Sequence, residues 1–194
     1  MRDGDIVIDK CYFEGCFSSY AATLHVNNTN VEIINTTFNK NYSAKSNEMV
    51  NLSNASSAVV KFCTMVQDLN YNGNAFEVVE SSKCSIYNSI IINNNKTPIF
   101  DGPTNNIYIH NCILDKEYLG AQNSMIVDPI LVSSGYYGGN VKTMPVAENS
   151  PAVNAGMILS DVIDDARGLT RSELTPTIGA YEYLYGKLNY EKWV

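Results

Sequence analysis

The sequence predicts an all-β chain wound as a parallel β-helix of about five coils, finished by a loop-rich C-terminal cap. Three observations predict it. Five segments superimpose: "IVIDKCYFEGC" from Ile6, "VEIINTTFNKN" from Val31, "AVVKFCTMVQD" from Ala58, "CSIYNSIIINN" from Cys84 and "IYIHNCILDKE" from Ile107. Their starts lie 25, 27, 26 and 23 residues apart. Apolar residues alternate along each segment, and no run carries helical periodicity. The chain also holds 24 Asn. Asn tolerates left-handed backbone and bonds its own turn, so this bias predicts many tight corners.

Within a repeat, the first alternating run is followed by a second: "ATLHV" near Leu24, "MVNLS" near Val50, "AFEVV" near Phe76 and "TPIF" near Ile99. Each coil therefore contains at least two short strands, and coils stack at about 4.8 Å. Equivalent positions then form ladders. A small inward position reads Cys11, Thr36, Cys63, Ser89 and Cys112, and a large one reads Phe13, Phe38, Met65, Ile91 and Leu114. A polar corner position reads Cys16, Asn41, Asp68, Asn94 and Glu117.

The ladder separates Cys11 from Cys63, and Cys63 from Cys112, by two coils. That puts their Cα atoms about 9–10 Å apart, beyond the roughly 7 Å a disulfide spans. These three are expected as buried small apolar residues, and Cys16 and Cys84 share no column. With no CxxC pair, no zinc site is expected.

Composition narrows the partners. A net charge of -7 and only 13 Lys and Arg in 194 residues argue against nucleic acid, which needs clustered cations. No stretch of 18 apolar residues exists, so no membrane span is expected. The opening "MRDGDIVIDKCYF" lacks a signal-peptide pattern, so the signal of an exported protein would lie upstream. Six N-x-S/T sequons start at Asn27, Asn35, Asn41, Asn51, Asn54 and Asn95, and an Asn-rich chain produces them by coincidence. With Ile6 already in a coil, a missing N-terminal region or another subunit is expected over the N-terminal edge.

The variable positions of the first run form two outward columns. One reads Val7, Glu32, Val59, Ser85 and Tyr108; the other reads Asp9, Ile34, Lys61, Tyr87 and His110. Lys61, Tyr87 and His110 on consecutive coils are the catalytic candidates, with Tyr108, Glu32 and Asp9 as candidate substrate contacts. Lys61 would neutralise a uronate while Tyr87 or His110 moved the proton of a β-elimination. The alternative is a solvated face whose Tyr residues stack on sugars without catalysis. No carboxylate pair of the glycosidase type appears in these columns. His25 points outward from the second run as polar surface.

Residues 1–127 are thus assigned to the repeats and 128–194 to the cap. "DPILV" from Asp128, "ENSPAVNAG" from Glu148, "DDARGLTR" from Asp164 and "TIGAYEY" from Thr177 resemble the C-terminal signature of bacterial right-handed parallel β-helix proteins of the choice-of-anchor Q type. That signature runs roughly D-P-x-F/L, S-P-A-I-D-A-G, D-x-x-G-x-x-R and I-G-A-Y/F-E. Asn154 stands here where the family usually has Asp. The resemblance implies a secreted or surface protein of the pectate-lyase-like superfold, a group holding lyases, hydrolases, adhesins and structural modules.

Read as structure, these segments are cap residues: Asp128 and Pro129; Pro151 to start a turn; Gly156 and Gly179 for positive φ; and Arg171 to fix carbonyls or pair with Asp164, Asp165 or Glu182. Asp161, Asp164 and Asp165 form the one group with a Ca2+ reading; otherwise no cofactor or metal is expected. The functional expectation is an exported or surface module for attachment or glycan binding. A polysaccharide lyase and a fibre or tail subunit are the alternatives.

Overall fold

The structure, a computed structural model, describes residues 5–18, 23–43, 48–67, 73–94 and 97–184. These residues wind into a parallel β-solenoid of about four turns. The five repeats are five successive rungs bounding those turns, and a sixth, shorter rung follows at Ala121–Gln122. The first sheet stacks Asp5–Asp9, Asn30–Ile34, Ser57–Lys61, Lys83–Tyr87, Ile107–His110 and Ala121–Gln122, all parallel. A second sheet runs Tyr12–Glu14, Thr37–Asn39, Thr64–Val66, Ile90–Ile92, Ile113–Leu114 and Met125–Ile126. A third stacks Leu24–Asn27, Val50–Ser53, Phe76–Val78 and Phe100–Asp101, and Phe17–Ser18 pairs with Tyr42–Ser43.

The registers are those the repeat predicts. Phe13 pairs with Phe38, Phe38 with Met65, Met65 with Ile91 and Ile91 with Leu114; the last four belong to the central core and the half-buried Phe13 packs against it. Phe13 and Phe38 stack with ring centroids 4.8 Å apart. The corner between the first and second sheets repeats one left-handed residue per coil: Lys10, Asn35, Phe62, Asn88, Asn111 and Asn123, with φ between 47° and 57°. Four of these six are Asn, because its short polar side chain tolerates this region best. Asn94 meets Asp115 rather than Glu117, its backbone N–H donating to Oδ2 at 2.8 Å, and Asp68 lies outside the described residues.

The small inward column is a hydrogen-bond ladder rather than an apolar one. Cys11 N donates to Thr36 Oγ1 (3.2 Å), Cys63 N to Ser89 Oγ (3.0 Å) and Cys112 N to Ser124 Oγ (3.0 Å). Each side chain also donates to the carbonyl two residues before it, as Ser89 does to Tyr87 (2.8 Å) and Cys63 to Lys61 (3.4 Å). A tight corner strands backbone groups, and a hydroxyl or thiol with one donor and free lone pairs satisfies two of them at once. The five cysteines are free; burial pushes the Cys63 and Cys112 thiols up to about 12.

The C-terminal region lies along the flank of the solenoid, where an end cap was expected. It covers the outer face of the second sheet: Ile90 and Ile113 pack into a second cluster with Val146, Ala152, Ile178, Tyr181 and Tyr183. An apolar outer face has to be buried against something, and this sheet carries one. By contrast, Ile6, Val7 and Phe17 on the first coil are exposed at 49%, 60% and 59%.

Candidate functional site

The four C-terminal segments interlock. Ser150 Oγ donates to Pro129 O (2.5 Å), and Asp128 Oδ1 caps Ile130 N (2.8 Å). Pro151 sits second in a turn closed by Val153 N to Ser150 O (3.1 Å), and Ile178 N then donates to Ala152 O (3.0 Å). Gly179 has the expected positive φ of 104°. Gly156 does not; it is required because a Cβ there would lie 2.7 Å from the Pro176 carbonyl oxygen. Asn154, with φ 56°, occupies a turn that Asn and Asp both tolerate.

Arg171 is the hub of this region. Its five N–H donors all find acceptors: Nε on Asp164 O (2.9 Å), Nη1 on Thr177 O (3.3 Å) and Glu182 Oε2 (3.2 Å), and Nη2 on Asn35 Oδ1 (2.8 Å) and Gly179 O (3.0 Å). The guanidinium lies 3.9 Å from the centroid of Phe62, which belongs to the corner column. Burial pulls it down to about 10, short of neutralising it at neutral pH, while Glu182 is pushed up by burial against the pull of Thr177 N–H and Arg171. A second arginine, Arg167, forks onto Asp165 (2.8 and 2.6 Å) and stacks 3.7 Å from the Tyr181 centroid. The sequence reading passed over Arg167, although its place in "DDARG" beside a doubled Asp was the available signal.

The three acids with a Ca2+ reading disperse to three different cations. Asp161 meets Lys61, Asp164 meets Lys10 at 3.0 Å, and Asp165 meets Arg167. Among the described residues no cluster of three or more His, Cys, Asp or Glu is placed to hold a metal ion.

On the outer face of the first sheet both predicted columns are in register, from Val7 to Tyr108 and from Asp9 to His110. Lys61 is nevertheless engaged by two carboxylates. Its Nζ lies 2.5 Å from Glu32 Oε1 and also contacts Asp161 of the C-terminal region. Burial draws the ammonium down, but hydrogen bonds to Asp161 and Glu32 outweigh it and hold it above its usual range. Asp9 is spent on Lys10 at 3.0 Å.

Tyr87, Tyr108 and His110 do come together. The Tyr87 and Tyr108 ring centroids are 5.8 Å apart, and Tyr108 and His110 are 6.1 Å apart with planes at 12°. Tyr108 is 39% exposed, and its hydroxyl reaches Gln122 Oε1 at 3.4 Å. His110 is fixed on both nitrogens: Asn123 Nδ2 donates to Nε2 (3.1 Å), leaving Nδ1 to face Met157 Sδ at 3.2 Å. Met157 is itself placed by Asn88, which accepts its N–H (2.9 Å) and donates to its carbonyl (2.8 Å). The chain therefore builds an aromatic strip whose far wall comes from the C-terminal region.

Two of the sequons are sterically closed, since Asn35 and Asn41 are buried, while Asn95 lies outside the described residues. Comparison with protein-family models finds no match, and comparison with curated proteins finds none.

Proposed function

We propose that this chain is a glycan-binding module of an exported or cell-surface protein, and that it binds through the strip of Tyr87, Tyr108 and His110. The observation that carries this reading is the ladder itself. Three rings adjoin across two neighbouring rungs, Tyr108 stacked on His110 and tilted against Tyr87, with Tyr108 exposed and Gln122 and Asn123 beside them as amide partners for hydroxyls. Sugar rings present apolar faces and polar edges, which such a strip matches. The C-terminal resemblance supports export.

β-elimination gains no support from this geometry. It needs a free cation beside the uronate, and Lys61 is engaged by two carboxylates. His110 likewise has both ring nitrogens occupied.

Affinity electrophoresis against a panel of neutral and acidic polysaccharides tests the reading. Retardation is expected on at least one polymer, and Tyr108→Ala should weaken it about tenfold, the loss of one stacking platform. Retardation unchanged in a Tyr87→Ala, Tyr108→Ala double variant would remove the strip from the binding site.

A further inference from the structure

Among the described residues the solenoid is open at both ends of its interior, because the C-terminal region lies along a flank. The inward columns show this as a change in exposure. Ile6 is 49% exposed, while Val31, Ala58, Cys84 and Ile107, which continue its column, are buried. At the other end Ile126 continues the column of Phe38, Met65, Ile91 and Leu114 and is 45% exposed. Tyr118 packs on Phe100 with ring centroids 4.8 Å apart, and Leu119 after it is exposed.

The backbone is unfinished at the two ends in complementary ways. Each corner residue donates its N–H to the following rung: Lys10 to Ile34 O (3.1 Å), Asn35 to Lys61 O (3.1 Å), Phe62 to Tyr87 O (3.1 Å), Asn88 to His110 O (3.3 Å) and Asn111 to Gln122 O (2.9 Å). In the opposite direction the N–H groups of Thr37, Thr64, Ile90, Ile113 and Met125 donate to the carbonyls of Cys11, Thr36, Cys63, Ser89 and Cys112 at 2.8–3.1 Å. At the sixth rung the next members of both series, Asn123 N–H and Ser124 O, have no partner among the described residues. At the first rung, Ile34 O accepts both Thr36 Oγ1 and Lys10 N–H, whereas the equivalent Asp9 O accepts the Cys11 thiol alone. Parallel ladders turn alternate residues toward opposite neighbours, so Tyr12 N–H points off the edge.

One offset matches all of these groups. Asp9 to Tyr12 spans the same corner as Gln122 to Met125, each with a left-handed residue, Lys10 at φ 51° and Asn123 at φ 49°. A second copy stacked on the sixth rung therefore sets its Asp9 beside Gln122, its Cys11 beside Ser124 and its Phe13 beside Ile126.

We propose that the sixth rung of one copy pairs with the first rung of another, so that the chain stacks head to tail into an open filament. Asn123 N–H then donates to Asp9 O of the next copy, and Tyr12 N–H of the next copy donates to Ser124 O. Ser124 N–H meets the next copy's Cys11 Sγ, as Ser89 N–H meets Cys112 Sγ at 3.5 Å. Ile126 and the next copy's Ile6 and Phe13 pass into one continuous core. A head-to-tail contact along a solenoid axis does not close on itself, so the assembly grows copy by copy. This inference is independent of the glycan-binding reading and survives its failure.

Sedimentation equilibrium tests the assembly, and the mean mass should rise with concentration to several times the 21.4 kDa of one chain. Ile126→Asp spoils the last rung and Ile6→Asp the first. Each variant alone should remain monomeric, while their mixture should form a dimer and nothing larger, because one keeps a sound first rung and the other a sound last rung. Formation of that dimer also shows that both variants fold. Disulfide trapping reads the register in a Cys16→Ser background, which removes the exposed native thiol. A chain carrying Asp9→Cys should bridge to a chain carrying Gln122→Cys across one rung spacing of about 4.8 Å. Within one chain the two positions stand five rungs, or roughly 24 Å, apart and cannot bridge. A monomer at every concentration, a wild-type mass that stops at two copies, or a variant mixture that stays monomeric overturns the proposal. Bridging of Gln122→Cys chains to each other, with none to Asp9→Cys, overturns it in favour of a two-fold contact between last rungs.

Discussion

The solenoid and the C-terminal region solve the same problem by opposite means. In the solenoid, backbone groups pair from coil to coil and apolar ladders fill the interior, so stability is spread over many equivalent contacts. Among its described residues the C-terminal region has only isolated bridges, Leu131 with Val146, Gly135 with Thr143 and Asp164 with Thr170. It concentrates its order in two buried arginines and the carbonyls they collect. A distributed structure tolerates the loss of one rung contact, while a hub does not. Losses in the two regions should therefore differ in size and in reach.

Arg171→Ala is expected to be the largest. It leaves Glu182 buried without its partner and frees Asn35, Thr177 and Gly179, at a cost of about 3–5 kcal/mol in urea unfolding. Arg171→Lys should recover little, since three donors on one nitrogen cannot replace a five-donor fork. Hydrogen exchange should show residues 157–183 deprotected while the core strands keep their protection. If the core strands open equally, the two regions form a single cooperative unit and the contrast drawn here fails.

Ser89→Ala probes the distributed side. It removes the acceptor of Cys63 N–H from a buried corner and should cost about 1–3 kcal/mol, with exchange rising mainly in the two adjacent coils. Ser89→Cys should recover part of it, because Cys63 and Cys112 already fill equivalent positions. An effect as large as that of Arg171→Ala would show that the ladder is no more redundant than the hub.

The smallest effect should come from the tie between the regions at Lys61 and Asp161. Asp161 is held below its usual 3.8 by the hydrogen bond from Lys61, so its contribution is present above that value and lost as pH falls through the lower, folded one. Lys61 is raised above 10.5, so its contribution is present below that value and lost as pH rises past the folded one. The tie is complete between these limits and fails at both ends. Exchange at residues 157–163 should rise below about pH 4 in the wild type, and Asp161→Asn should abolish that pH dependence. An unchanged acid limb in the variant would assign the loosening to other carboxylates.

The solenoid was legible in the sequence because its period along the chain is also its period in space. Residues 23 to 27 apart became neighbours, so Phe38 could be set beside Met65, and Tyr87 beside His110, before any coordinates. Ladder chemistry was less legible: Thr36, Ser89 and Cys63 are small, and size alone hid their shared ability to donate and accept. The outward column of the third sheet was recorded as far as His25 and missed at Glu77 and Asp101. Those shorter runs were read for strand content rather than for which face each residue took.

Nothing in the sequence marks contacts that obey no period. Arg171 meets Asn35 across 136 residues, Ala180 meets Thr64 across 116 and Lys61 meets Asp161 across 100. By itself the sequence determined a parallel solenoid, its inward and outward columns and its Asn corners, because stacking turns chain spacing directly into position. Only the tertiary structure decided that the C-terminal segments lie along a flank, engage Lys61 and wall the aromatic strip with Met157. Those choices depend on which sheet face is left apolar and on where buried donors find acceptors, and both are settled only when the whole chain is folded.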